Sequence, residues 1–181
     1  TARYLKLEKN KAQIYNNIIK DVVLNKNPNS NEAFWNSNLS QSLLWKYSIS
    51  GDLPVILVYI NKIEDAGIIN EIINFMDYIK NRGLDIDIVI IIDEKDPKGS
   101  IYNYLKTRID RAVYMDHTKG DIYLLNMYAL SQDEIKLLSF LARRYINSID
   151  EFLSVEESKE DKDVFMVDKN ENMKEDTIDE K

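Results

Sequence analysis

The sequence predicts an α/β domain built on a small three-stranded parallel Rossmann-like sheet with flanking helices, preceded by a helix and followed by a disordered acidic tail. Three observations predict it. The runs Val55-Ile56-Leu57-Val58-Tyr59-Ile60 and Ile86-Asp87-Ile88-Val89-Ile90-Ile91-Ile92 are apolar almost throughout, as strands buried on both faces are. A third run, Ile122-Tyr123-Leu124-Leu125-Asn126, has the same character. Segments of helical spacing lie between them, and strands separated by helices pair in parallel through right-handed crossovers.

Taken in order, Glu8 to Leu24 has Ala12, Tyr15, Ile19 and Val22 on one helical face, widened by Ile14 and Ile18. The turn formers from Asn25 to Asn31 end it. Glu32 to Asn38 suits a short helical turn carrying Phe34 and Trp35. In the stretch from Leu44 to Pro54, Trp45 reads as a bulky anchor before a small-residue corner, and Pro54 as the first strand residue, where a missing N–H costs least. After Ile60, Asn61 and Glu64 have cap spacing. The helix they open runs to about Asn81 with Ala66, Ile69, Ile72, Ile73, Met76 and Ile79 inward, and Gly83 closes it. Asp93 to Gly99 is a loop. Ser100 opens a helix with Ile101, Leu105, Ile109 and Ala112 on one side, and Val113 to Met115 is a candidate minor extended piece. Lys119-Gly120-Asp121 turns into the third strand. Ser131-Gln132-Asp133-Glu134 is a capping-box pattern, and its helix carries Ile135, Leu138, Leu141, Tyr145 and Ile149 inward. The domains expected are a helical lead-in over 1–39, the α/β domain over 40–149 and an acidic disordered linker over 150–181.

The 181 residues give room for one domain with some excess. Cysteine is absent, which removes disulfides and thiolate chemistry and fits a reducing, cytoplasmic setting. No apolar run reaches the roughly 18 residues of a membrane span, so no direct membrane contact is expected. The net charge of −7 argues against nucleic acid as a partner. Thr1-Ala2-Arg3-Tyr4 has no initiating Met, and the chain reads as a piece of a longer protein.

Asp93, Glu94 and Asp96 follow the second strand, at the carboxyl edge where open α/β sheets bind ligands. Three carboxylates there can hold magnesium; the plainer reading is a solvated loop whose acids favour the next helix dipole. Asp85-Ile86-Asp87 spells the Asp-x-Asp of nucleotide-sugar transferases but precedes its strand rather than following it. Lys98-Gly99-Ser100 lacks the glycine spacing of a phosphate loop, and Ile60 to Asp65 lacks a dinucleotide fingerprint. His117, the sole histidine, has no histidine or cysteine partner for a metal. The tyrosines, Trp35 and Trp45 suit core or domain contacts before sugar stacking. Ser50-Gly51-Asp52 lies at the amino edge and reads as a structural corner, with Gly51 supplying positive φ and the Asp52 carboxylate accepting backbone N–H bonds. No catalytic, cofactor-binding or metal residue is assigned.

Leu44 to Val58 resembles a segment of the cyclic β-1,2-glucan synthases and the 1,2-β-oligoglucan phosphorylases, which reads Leu-Trp, two residues, Gly-Ile-Ser-Gly-Asp-Leu-Pro and then an apolar strand. Lys80 to Ile90, Ser100-Ile101-Tyr102 with Leu105, Gly120 to Leu125, Leu130-Ser131, Glu134, Ala142-Arg143-Arg144 and Ala12 to Tyr15 are similar in order and spacing. Two departures stand out. Ser48 replaces the family's glycine, which asks that position to avoid positive φ, and Ile92-Asp93-Glu94 lacks the usual Asn-Glu ending. The resemblance implies a non-catalytic linker domain between β-sandwich domains, ahead of a phosphorylase-type catalytic unit whose catalytic acid is not in this chain. Its implied partners are those neighbouring domains, with β-glucan as a candidate ligand and no cofactor. The resemblance implies a parent of either kind, a membrane-bound synthase or a soluble phosphorylase; the alternatives to it are a self-standing magnesium-dependent enzyme or switch using Asp93, Glu94 and Asp96, and a protein-interaction module.

Overall fold

The computed structural model describes residues 9–24, 39–96, 99–112 and 119–154. Phe34, Trp35, Lys98, Val113 to Met115, His117 and the acidic stretch from 155 on lie outside the described residues.

Helices alternate with strands as α1 (Lys9–Leu24), β1 (Val55–Ile60), α2 (Ile68–Lys80), β2 (Asp87–Ile92), α3 (Ser100–Arg111), β3 (Ile122–Asn126), α4 (Gln132–Leu141), β4 (Ala142–Ile146) and α5 (Ile149–Leu153). Short 3-10 helices cover Gln41–Tyr47, Ile63–Gly67 and Met127–Ala129. The sheet is parallel in the order β3-β2-β1-β4. It therefore has four strands where the sequence predicts three.

The addition is β4. Residues 142–146 continue the helical spacing of α4 without a glycine or proline break, and the sequence reads them as helix. In the fold, β1 would otherwise be an open edge with unpaired backbone groups, and the chain leaves α4 at Ala142 to pair with it. The pairing slips by one residue between Val55↔Ala142 and Ile56↔Arg144. Such a bulge reverses which face the following side chains meet. Ala142 thus packs with α4, while Ile146 joins the opposite core and Arg144 meets Asp21 of α1 in an ion pair.

The two faces are covered unequally. Ile56, Val58 and Ile60 of β1, Ile88, Ile90 and Ile92 of β2, and Ile122 pack beneath α1, α2, α3 and α5. Val55, Leu57, Val89, Ile91 and Leu125 pack beneath α4, Leu44 and Ile49. The handedness rule explains this split. The connections β1 to β2 to β3 move one way along the sheet, and β3 to β4 returns the other way, so α4 must cross the opposite face.

Two further segments pack with the α/β core. α1 belongs to the main core: Tyr15 meets Phe75, Tyr78 and Phe152 edge to face with ring centroids 5.2, 5.3 and 6.2 Å apart. Lys11 pairs with Glu71 of α2 at 2.7 Å. Residues 150–153 form most of α5, with Phe152 buried in that ring cluster. Phe152, with Ile149 and Leu153 packed beside it, draws this short helix onto the core.

Asn61 does not cap a helix. The chain instead takes a 3-10 turn over Ile63–Gly67 before α2 begins. Ser131 and Glu134 form the reciprocal capping box that the sequence signals.

Candidate functional site

At the carboxyl edge, β1, β2 and β4 send their following helices to one face and β3 sends α4 to the other. The crevice where neighbouring strands diverge, the usual ligand position in such sheets, therefore lies between the ends of β2 and β3. Asp93 and Glu94 stand on one side of it, with Asn126 and Tyr128 on the other.

The polar groups of this crevice bind each other. Glu94 turns onto α3: its carboxylate accepts from the backbone N–H of Tyr102 at 3.1 Å and of Ile101 at 3.3 Å. This meets the otherwise unpaired donors of a helix start. Gly99 makes room for it, since a Cβ there would fall 2.2 Å from the Glu94 carboxylate. The amide of Asn126 donates to the Glu94 carbonyl at 2.7 Å, and its oxygen accepts from the Tyr128 N–H at 2.9 Å. The Tyr59 hydroxyl donates to Asp93 at 2.7 Å. That bond and partial burial push the Tyr59 phenol up to about 12, and Asp93 also raises Tyr128. The loop after β4 closes in the same way, with Glu151 accepting from the Asn147 N–H at 2.7 Å and Ser148 capping α5.

Asp93, Glu94 and Asp96 are thus not brought together as a ligand set. Among the described residues no group of three or more His, Asp or Glu is placed to hold a metal ion. Asp87 of the Asp-x-Asp pattern is buried at the start of β2, where it accepts from the Asp121 N–H at 3.3 Å. Burial pushes its carboxyl up to about 6, the neighbouring Asp121 charge adds to this, and the bond from the Asp121 N–H opposes it.

The amino edge is organised differently. Leu44 and Ile49 are buried in the core under α4, so the anchor of this stretch is Leu44. Trp45 is 65 % exposed. The reason lies in its neighbours. Glu134, buried at the start of α4, accepts from Lys46 at 2.5 Å and from the Tyr47 hydroxyl at 3.1 Å. Burial raises the Glu134 carboxyl, but the bonds from Lys46, Ser131 and Tyr47 outweigh it and hold the group below its usual value. With Leu44 directed into the core and Lys46 and Tyr47 onto Glu134, Trp45 is left facing outward.

Ser48 then takes φ 65°, contrary to the expectation that a non-glycine there avoids the left-handed region. The cause is a helix-closing motif. The Ser48 N–H bonds the Trp45 carbonyl at 2.9 Å, the Ile49 N–H bonds the Leu44 carbonyl at 3.3 Å, and Leu44 and Ile49 share the core. This pattern requires a left-handed residue at Ser48. Gly51 has φ 79°, and its carbonyl accepts from the Gln41 amide at 3.1 Å. The acceptor inside the corner is Ser50, whose hydroxyl takes the Asp52 N–H at 3.2 Å. The Asp52 carboxylate makes no hydrogen bond among the described residues, so the expected Asp52 turn acceptor is corrected to Ser50. Gln41, Trp45, Ser48, Ile49, Ser50 and Asp52 line an open depression of about 400 Å³. Sequence reasoning missed Gln41 and the outward face of Trp45; local pattern carries no signal for either, because Lys46 and Tyr47 are fixed by a capping-box glutamate far along the chain.

Fold and site together define a four-stranded parallel α/β domain whose described carboxyl edge is closed by its own side chains and whose amino edge presents an open aromatic and acidic corner. No protein-family model matches the chain. A stretch of 52 residues, 29% of the chain, is 40% identical to cyclic beta-(1,2)-glucan synthase NdvB of Rhizobium meliloti, of which it spans 2%. The similarity is local and partial. Among the described residues no helix is long and apolar enough to cross a membrane.

Proposed function

We propose that this chain is a non-catalytic α/β domain of a larger carbohydrate-active enzyme that makes or phosphorolyses β-1,2-glucans. The observation that carries the reading is the 52-residue similarity to a cyclic β-1,2-glucan synthase. The carboxyl edge supports the non-catalytic part, because among the described residues Glu94 is committed to the start of α3, Asn126 to the Glu94 carbonyl and Asp93 to the Tyr59 hydroxyl. On this reading the domain packs against β-sandwich and catalytic neighbours of the parent chain. A magnesium-dependent reaction on Asp93, Glu94 and Asp96 would require Glu94 to release the start of α3, and among the described residues the three carboxylates form no ligand set.

The test is turnover. The purified chain, given β-1,2-gluco-oligosaccharides with inorganic phosphate or with UDP-glucose, is expected to release no glucose 1-phosphate and to lengthen no oligosaccharide. Turnover that disappears when a residue of this chain is changed would overturn the reading.

A further inference from the structure

The depression at the amino edge carries two groups that the corner itself does not use, Trp45 and Asp52. The Trp45 indole is exposed, and its N–H makes no hydrogen bond among the described residues. The Asp52 carboxylate, also exposed, likewise has no described partner, and the Gln41 amide and the Ser48 and Ser50 hydroxyls lie beside them. The platform beneath is rigid: Leu44 and Ile49 anchor it in the core, and Lys46 and Tyr47 tie it to Glu134. A volume of about 400 Å³ falls within the ~300–1,000 Å³ of small-ligand sites.

The chemistry selects among occupants. A large flat ring beside an acid, an amide and hydroxyls matches a pyranose, which presents an apolar face of C–H groups and a rim of hydroxyl donors and acceptors. A protein partner fits less well. The centres of protein interfaces are depleted of charge, and covering Asp52 without a donor would strand a carboxylate away from water. Sugar hydroxyls supply that donor.

We propose that the corner formed by Gln41, Trp45, Ser48, Ser50 and Asp52 is a binding subsite for a glucosyl unit of β-1,2-glucan. The linkage rests on the proposed function above. In this subsite Trp45 receives the sugar ring, and Asp52 accepts from its hydroxyls. The domain would hold the glucan chain without acting on it.

The experiment is a titration of the whole ¹⁵N-labelled chain with linear β-1,2-gluco-oligosaccharides, read by NMR, with the Trp45 indole signal assigned through Trp45→Phe. Cello-oligosaccharides of equal length serve as the comparison. The expected result is saturable shifts of the Trp45 indole and the Ser48 to Asp52 amides. Trp45→Ala should weaken binding by about tenfold or more and Asp52→Asn by about threefold or more, while Tyr128→Phe at the other edge leaves it unchanged. Both corner side chains are exposed, so amide spectra away from the corner should show each variant folded. Corner shifts with turnover would support the subsite and overturn the non-catalytic reading. Shifts confined to the carboxyl edge, or no shift with any glucan, would overturn the subsite and leave that reading standing. Equal affinity for the cello-oligosaccharides would overturn the β-1,2 assignment. Corner shifts on concentrating the chain without sugar would make a second copy the occupant and overturn the proposal.

Discussion

Ser48 holds a left-handed conformation that costs an L-residue with a Cβ roughly 1–2 kcal/mol, and it does so because Leu44 and Ile49 on either side are fixed in the core. Glycine at this position would remove the penalty and add part of it back as extra freedom in the unfolded chain. Ser48→Gly should therefore raise stability by about 0.5–1 kcal/mol, read as a higher urea midpoint with an unchanged slope. A lower midpoint would mean that the serine hydroxyl contributes to the fold. Asp87 presents the opposite case, a group whose burial opposes its charge. Its folded value of about 6 lies above the ordinary 3.8, so the native state binds the proton more tightly than the unfolded chain. This contribution favours the fold at low pH, falls away as pH rises from about 4 to about 6, and leaves a cost of up to about 3 kcal/mol above that window. Asp87→Asn keeps an acceptor for the Asp121 N–H and carries no charge. It should be more stable than the parent at pH 7 and should lose the decline between pH 4 and pH 6. An unchanged pH profile would show that Asp87 is better solvated than its position indicates.

At the scale of elements, β4 depends on interactions that its own sequence does not advertise. Its bulge turns Arg144 towards α1, where it pairs with Asp21; the two side chains are 15 % and 19 % exposed. The Arg144 Nε is buried without a partner, so this guanidinium already lacks one of its bonds. Removing Asp21 would leave a largely buried cation uncompensated. Asp21→Ala should cost about 3 kcal/mol, measured by denaturant unfolding, and amide exchange should rise first in β4 and α1. A loss below about 0.5 kcal/mol, the level of a surface pair, would show that the pair does not hold β4 to α1. The turn into β3 is equally particular. Gly120 has φ 93°, and a Cβ there would lie 2.5 Å from the Ile86 carbonyl oxygen, so the close approach of this turn to the strand entrance requires glycine. Sequence alone marks Gly120 as a turn residue, but the backbone it must pass lies more than thirty positions earlier.

For the whole molecule, the two ends of the sheet have different characters, and neither can be read from composition. The described carboxyl edge, where ligands gather in related architectures, is sealed by Glu94, Asp93, Asn126 and Glu151 acting on their own backbone and side-chain neighbours. The amino edge carries the exposed indole and carboxylate of Trp45 and Asp52. Local pattern determined β1, β2 and β3, the helices between them and the Ser131 capping box, because buried strands are continuous apolar runs and amphipathic helices repeat at their own period. It also determined that Ser50 to Asp52 would be a corner, since serine, glycine and aspartate before a proline-led strand favour a turn. Only the tertiary structure decided that residues 142–146 are a strand, because an unpaired edge of β1 outweighs helical spacing over five residues. It alone decided that Ser48 takes positive φ, that Glu94 caps α3 rather than facing solvent, and that Trp45 points outward. Each of these depends on a partner distant in sequence or on two flanking residues already anchored, and spacing along one segment carries no information about what lies across from it.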